Sequence, residues 1–297
     1  MLLSRFPGMS ATGKAIIAFP MRCHKLDLLF RAWINCPERE TMKSNKRGEQ
    51  AMANVRSIPE AEFKLLRQFD TPTICNVVEL FDLRPRTAGY MDGRIRACYP
   101  KLPVMLGYAA TATFRSSAPP RAGNVYSGLA DQVASFAELP GPAVVVFQDL
   151  DNPVAAATFG EVMCTTYKAF GAAGLVTSGA ARDLDQVASL QFPCFADGVI
   201  CAHGYSQIVQ INIPVHVGGV TVNAGDLLHG DCNGVTTIPS EIAAKVAHAC
   251  PEYMAAEAVA LDYLKAGKID PKGYAAARNE CRDRIESLSR KLKGKSI

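Results

Sequence analysis

The densest chemistry in this chain lies near its middle. Glu161 follows Gly160, and after twenty intervening residues comes the pair Arg182-Asp183. An arginine can pair a carboxylate or stabilise a developing oxyanion. An aspartate offers a hard oxygen donor to Mg²⁺ or Mn²⁺. A helix that begins at Gly160 presents backbone N–H groups with no intrahelical partner, and these favour a bound carboxylate or phosphate. Brought together, these groups could hold a small anionic ligand and a divalent metal. Each also has a plainer role. Glu161 could complement the helix dipole, and Asp183 could be the N-cap of the next helix beside Arg182. Spacing alone leaves both open.

Convergence requires particular elements around these residues. AVVVFQDL is a short continuous apolar run, the pattern of a strand buried on both faces. GEVMCTTYKAFG is a helix closed by Gly171, GLVTSG the next strand, and ARDLDQVASL a further helix. Glu161 and Arg182-Asp183 therefore stand at adjacent ends of one βαβ unit, where α/β sheets bind their ligands. The run Gly179-Ala180-Ala181 between strand and arginine is read as flexible. Other candidates are weaker. Lys168 has the chemistry of a Schiff-base lysine, but mid-helix it is expected to be exposed. His203, His216 and His229 lack metal-ligand spacing and are expected on the surface or in loops.

Upstream, PEAEFKLLRQF has helical spacing with an acidic first turn, and TPTICNVVELF a second helix with Thr71 as N-cap and Pro72 first inside it. PVMLGYAATATFR is a strand and VYSGLADQVASFAEL a helix. Downstream, PCFADG, PVHVGGVTV, DLLHGDCNG and VTTIP make a glycine-punctuated β region. From Ser240 onwards the pattern is helical, broken around GKIDPKG. Strands alternate with helices first and cluster later, which argues for an α/β domain with a β-rich layer.

Composition narrows the classes of function. The 297 residues are 48% hydrophobic and 20% charged, an ordinary globular balance, and the net charge of +4 is gathered towards the ends. So small and dispersed an excess argues against a nucleic-acid partner. No run approaches the ~18 apolar residues of a membrane span. Ten cysteines without a C-x-x-C pair or zinc-ligand spacing read as reduced thiols in a cytoplasmic protein. Residues 1–57 are expected as an N-terminal extension, either flexible or preceding a true start at Met42 or Met52. Residues 58–267 are expected as the main domain and 268–297 as a helical tail.

Two segments together resemble a known family. GEVMCTTYKAFGAAGLVTSGAARDLDQV at 160–187 and PVHVGGVTVNAGDLLHGDCNGVTTIP at 214–239 are similar to the 4-hydroxy-4-methyl-2-oxoglutarate aldolases, a family that includes the regulator of ribonuclease activity A. The resemblance covers roughly 60–267. It implies an α/β, swivelling β/β/α fold, here with a C-terminal helical extension, assembled as a homotrimer or homohexamer. It implies a class II, metal-dependent aldolase that releases pyruvate from a 4-hydroxy-2-oxo acid or oxaloacetate, or else a non-catalytic protein acting on a ribonuclease. Carried over, Asp183 holds Mg²⁺, with Mn²⁺ as the alternative, and Arg182 contacts the keto oxygen. Glu161 orients or deprotonates through a water, Gly160 and the amides of Val162 and Met163 receive the substrate carboxylate, and Glu257 approaches a neighbour's metal site. Gln186 stands where the family often has an acid, and Asn76 where many members have aspartate.

Overall fold

A computed structural model describes residues 57–121, 128–267 and 269–294. Apart from Ser57, the expected N-terminal extension lies outside the described residues.

The sheet is organised by alternation along two strands. In β2 (Met105–Arg115), Leu106, Tyr108, Ala110, Ala112 and Phe114 are buried on one face, and Met105 and Ala109 on the other. In β3 (Ala143–Asp149), Val145 and Phe147 face one way, while Val144 and Val146 face the other. Both faces are covered, which is why AVVVF reads as an unbroken apolar run.

The helices and strands that do the covering follow from their own patterns. Helices α1 (Glu60–Leu66) and α2 (Thr71–Glu79) pack with the long helix α6 (Ala243–Lys265) against the Leu106 and Tyr108 end of the sheet. The N-cap of α2 is Asp70 rather than Thr71: Asp70 Oδ1 accepts from the Thr73 amide at 2.8 Å, so the helix starts one residue earlier than expected. Helices α3 (Leu129–Ser135) and α4 (Glu161–Ala169) cover the Phe114 and Phe147 end. The last helix, α7 (Pro271–Leu292), is capped by Asp270 and packs along α6, burying Cys281 and Leu288.

The main sheet runs β1 (Arg96–Ala97), β7 (Cys194–Ala196), β5 (Gly174–Thr177), β3, β2, β12 (Leu227–Asp231), β13 (Gly234–Ile238). Strands β2, β3, β5 and β7 are mutually parallel. The far half of β2 pairs with β9 (Gln207–Ile211), and β10 (Val215–Val217) with β11 (Val220–Val222) forms a hairpin whose valines join the Val144 and Val146 cluster. The fold is α/β, as expected.

A second, smaller sheet positions the site. Three of the four parallel strands of the main sheet hand the chain to a short strand of the small one: β3 to β4 (Ala157–Phe159), β5 to β6 (Ala180–Ala181), and β7 to β8 (Gly198–Val199). These three are also parallel, in the order β4-β6-β8. Their carboxyl ends therefore lie along one edge. The segment expected to be flexible before Arg182 is thus β6, a central strand with both alanines buried.

Candidate active site

The first arm of the site follows β4. Gly160 is in extended backbone, and α4 begins at Glu161. The amides of Val162 and Met163 precede the first helical hydrogen bond, from Cys164 to the Gly160 carbonyl at 3.1 Å. Met163, Cys164 and Tyr167 anchor the helix in the core, and the Tyr167 hydroxyl donates to Gln132 Oε1 at 2.6 Å. Glu161 and Val162 point outward, Val162 with 71% of its surface exposed.

The second arm follows β6. The Arg182 amide donates to the Phe159 carbonyl at 3.1 Å, locking the two strand ends together. Asp183 has left-handed backbone, φ 54° and ψ 44°, a conformation that costs a non-glycine residue about 1 kcal/mol. It occupies the N-cap position of α5 (Leu184–Ser189), yet its side chain makes no capping bond there. Its Oδ2 reaches instead across to α4, accepting from the Glu161 amide at 3.1 Å, and lies 3.7 Å from Arg182 Nε. The capping role that spacing had left open for Asp183 is therefore not the one its carboxylate performs.

Gly160 is the pivot of this contact. A Cβ there would lie 2.4 Å from Asp183 Oδ2, 2.9 Å from Arg182 Nε and 3.1 Å from Arg182 Cγ. The backbone angle at Gly160 suits any residue. What requires glycine is the carboxylate and guanidinium pressed against its α-carbon. Arg182 and Asp183 remain reachable, with side chains 25% and 33% exposed.

The third arm, unexpected from the sequence, follows β8. The loop 200–206 brings His203 and Ser206 to a cleft shared with Ala157, Thr158, Phe159, Gly160, Val162, Met163 and Arg182. Its enclosed volume is about 10 Å³, room for one small group of a ligand with the remainder open to solvent. Behind it, Asp149 accepts from Thr158 Oγ1 at 3.4 Å and from the Asp151 amide at 3.0 Å, and burial pushes its carboxyl up to about 6.

The remaining candidates separate. Glu257 does not line the cleft; it lies on α6, against the Tyr253 hydroxyl. Lys168 is exposed, as expected, and donates to the Leu190 carbonyl. His216 is exposed on β10. The expectation for His229 fails: it is fully buried between β12 and the α1–α2 turn. Its Nε2 donates to the Leu66 carbonyl at 3.2 Å and its Nδ1 accepts from Thr71 Oγ1 at 3.0 Å, while burial lowers its pKa to about 4. Among the described residues the core cysteines offer no obvious nucleophile. Cys164 and Cys194 approach to 3.9 Å between sulfurs, and burial pushes the Cys98 and Cys250 thiols up to about 12.

The sequence profile of the RraA-like family, described as Aldolase/RraA, matches residues 71–237, more than half of the chain and all three arms of the cleft. The chain belongs to the RraA-like family. A Halalkalibacterium halodurans protein provisionally named 4-hydroxy-4-methyl-2-oxoglutarate aldolase is 38% identical over 124 residues, covering 41% of this RraA-like chain and 58% of that protein. A Pseudomonas syringae pv. tomato protein of the same provisional name is 31% identical over 111 residues, covering 35% and 65%. The chain thus spans less than two thirds of the length of these relatives.

Among solved structures, an uncharacterized protein of P. syringae pv. tomato superposes with a TM-score of 0.60 at 21% identity, over 76% of this chain and 96% of the other. Streptomyces coelicolor RraAS2, described as an unusual member of the RNase ES inhibitor RraA protein family, gives 0.54 at 22%, over 68% and 96%. At these identities the likeness is one of RraA-like fold. Among the described residues no helix is long and apolar enough to cross a membrane.

Proposed function

We propose that the chain is a divalent-metal-dependent lyase that releases pyruvate from a 4-hydroxy-2-oxo acid, of the 4-hydroxy-4-methyl-2-oxoglutarate kind, or from oxaloacetate. The observation that carries this reading is the contact at Gly160. Two loops and a helix N-terminus are pressed together there, and the groups they press together are a carboxylate, a guanidinium and backbone amides. A cleft serving only protein–protein contact needs no such set.

The donor set fits a hard, well-hydrated cation. Among the described residues no three His, Cys, Asp or Glu side chains gather into a metal cage. Asp183 offers a carboxylate held in place by its neighbours, which suits Mg²⁺, an ion that keeps several waters and takes one or two carboxylates. When bound, the ion supplies a positive charge to the keto oxygen. Arg182 adds a guanidinium aimed at the same developing charge. The Val162 and Met163 amides, at the positive end of α4, receive the substrate carboxylate. Glu161, exposed at the mouth, orients a water. Both reactions leave the same pyruvate enolate, so one arrangement serves both.

The working assembly in this proposal is a homotrimer or a pair of trimers. Exposed Val162 near the cleft and Val199 on β8, 71% and 62% exposed, are apolar surface that a second copy would cover. Glu257 would reach a site only across such an interface.

The test is a panel of 2-oxo acids with Mg²⁺, coupled to pyruvate detection. Pyruvate is expected from oxaloacetate or a 4-hydroxy-2-oxo acid. EDTA should abolish it, and Asp183→Asn should lower it by about 10²-fold or more. Turnover that survives EDTA but is trapped by borohydride would assign the chemistry to a lysine. Normal turnover in Arg182→Ala and Asp183→Asn would place the site elsewhere.

A further inference from the structure

We propose that Asp149 is a positioning residue of this site: as a carboxylate, and acting through Thr158, it holds the small sheet in the register that brings Gly160 and Arg182-Asp183 together. The inference rests on the lyase reading above and adds to it a residue that acts through others.

A chain of hydrogen bonds links the crossings between the two sheets. The Gly179 amide donates to Thr177 Oγ1 at 2.9 Å, Thr177 Oγ1 to Thr158 Oγ1 at 3.1 Å, and Thr158 Oγ1 to Asp149 Oδ2 at 3.4 Å. Asp149 ends β3, Thr158 is the middle residue of β4, Thr177 ends β5, and Gly179 precedes β6. The chain therefore ties the β3–β4 crossing to the β5–β6 crossing, close to where the first two arms leave the small sheet. Thr158 and Thr177 are fully buried, and Thr158 also lines the cleft. A Cβ on Gly179 would collide with both Thr158 Oγ1 and Asp149 Oδ2. The hydroxyl and the carboxylate are thus packed against its α-carbon, as Asp183 is against that of Gly160.

Asp149 is held from behind as well. Its amide donates to Ser178 Oγ at 2.9 Å, and its Oδ1 accepts from the Asp151 amide at 3.0 Å. Asp151 Oδ2 accepts from the Ser116 amide at 2.7 Å, and the Ser116 carbonyl accepts from the Tyr205 amide at 2.9 Å. Tyr205 belongs to the loop after β8, so the single turn 149–151 is connected to all three arms.

The charge of Asp149 fixes the direction of the chain. A carboxylate only accepts, so each hydroxyl donates towards it and every hydrogen finds an acceptor. A proton on Oδ2 would set donor against donor, and the buried Thr158 hydrogen would lose its partner. A proton on Oδ1 would face the Asp151 amide instead. The link to Asp149 is the longest of the chain, and the charge of its acceptor is what strengthens it. Burial pushes the Asp149 carboxyl up to about 6; the charged group facing it is Asp151, itself 3.7 Å from Arg115 Nε. The ordered chain is therefore present above about pH 6 and lost as pH falls through that value. Because the folded value lies above the ordinary 3.8, protonating Asp149 does not itself favour unfolding. What falls is turnover.

The test is kcat against pH, from about 5 to about 8, with saturating Mg²⁺ and oxaloacetate or 4-hydroxy-4-methyl-2-oxoglutarate, whichever is turned over. Wild type should lose turnover below an apparent pKa of about 6. Asp149→Asn puts an amide donor where the chain needs an acceptor. Its kcat at about pH 7.5 should fall by about 10–10²-fold, and the acid limb should vanish. Thr158→Val breaks the chain at its centre and should do the same. Thr158→Ser keeps the hydroxyl and should keep the limb. Thermal melts identify the folded variants, and either of the first two carries the test. A wild type without this limb, a limb that survives in a folded Asp149→Asn or Thr158→Val, or Asp149→Asn turnover within about threefold of wild type would overturn the assignment while leaving the lyase standing. A wild-type protein inert towards both substrates removes the lyase reading and this inference with it.

Discussion

Gly160→Ala is the sharpest perturbation of the proposed site, because its consequence follows from contact distances. The new Cβ would meet Asp183 Oδ2 at 2.4 Å, against the 3.4 Å at which ordinary van der Waals contact begins. Something must give by about 1 Å. The backbone of Gly160 is extended and accepts alanine without strain. Arg182 is tied to Phe159 through its amide, and α4 is anchored by Met163, Cys164 and Tyr167 in the core. The carboxylate of Asp183 is the most mobile party, so it retreats and loses its 3.1 Å bond from the Glu161 amide. That bond contributes on the order of 1 kcal/mol of stability, about 2–4 °C in the melting temperature of a domain this size. Turnover should suffer far more, since a displacement of about 1 Å in a reacting group costs on the order of 10²-fold in rate. The assay is pyruvate release from oxaloacetate with saturating Mg²⁺, paired with a thermal melt. Gly198→Ala is the control, because nothing lies within 4 Å of a Cβ on that neighbouring strand. If Gly160→Ala turned over within about threefold of wild type, the close approach would not be what shapes the site, and the reasoning would fail.

Other outcomes follow from the core. His229 is held neutral by burial, its pKa lowered to about 4 against 6.5 in an unfolded chain. The unfolded state therefore binds the extra proton first. The stability contributed by the neutral ring is intact above pH 6.5 and is lost as pH falls from there to 4, by about 3 kcal/mol in all. Urea midpoints measured across that window should fall more steeply for wild type than for His229→Gln; parallel curves would refute it. Tyr167→Phe removes the 2.6 Å bond to Gln132, whose Nε2 already lacks a partner in the described structure, and should cost about 1–3 kcal/mol in chemical denaturation. Adding Gln132→Leu should recover most of that loss, because both polar partners are then gone; an additive second loss would show that shape rather than hydrogen bonding dominates there.

How much of this was legible in the sequence depended on the range of the interaction. The strand AVVVF, the helix closed by Gly171 and the helical C-terminus are local patterns, and they form where periodicity puts them. The cap of α2 was misplaced by one residue because Thr71 and Asp70 are both good caps. What decides between them is a tertiary contact: Asp231 Oδ2 accepts the Thr71 amide at 2.9 Å and His229 takes the Thr71 hydroxyl, leaving Asp70 to cap. His229 itself looked like a loop residue for the same reason. Its partners, Leu66 and Thr71, lie more than 150 residues away in the chain.

The site was half legible on the same grounds. Glu161, Arg182 and Asp183 stood out because a βαβ unit brings neighbouring strand ends together, and that rule needs only one crossover. His203 needed a third strand end, and β8 is two residues long, too short to leave a period-2 signature. Strand β6, also two residues, passed for a flexible linker. Yet these short strands set the geometry, because their pairing aligns three loops along one edge. The central strand β6, paired on both sides and with both alanines buried, is held by what it packs against. The proposed site of this family member is therefore positioned by elements that local sequence scarcely marks, and the residue that does mark them is Gly160. Its lack of a side chain makes sense only once Asp183, twenty-three positions on, is seen lying against it.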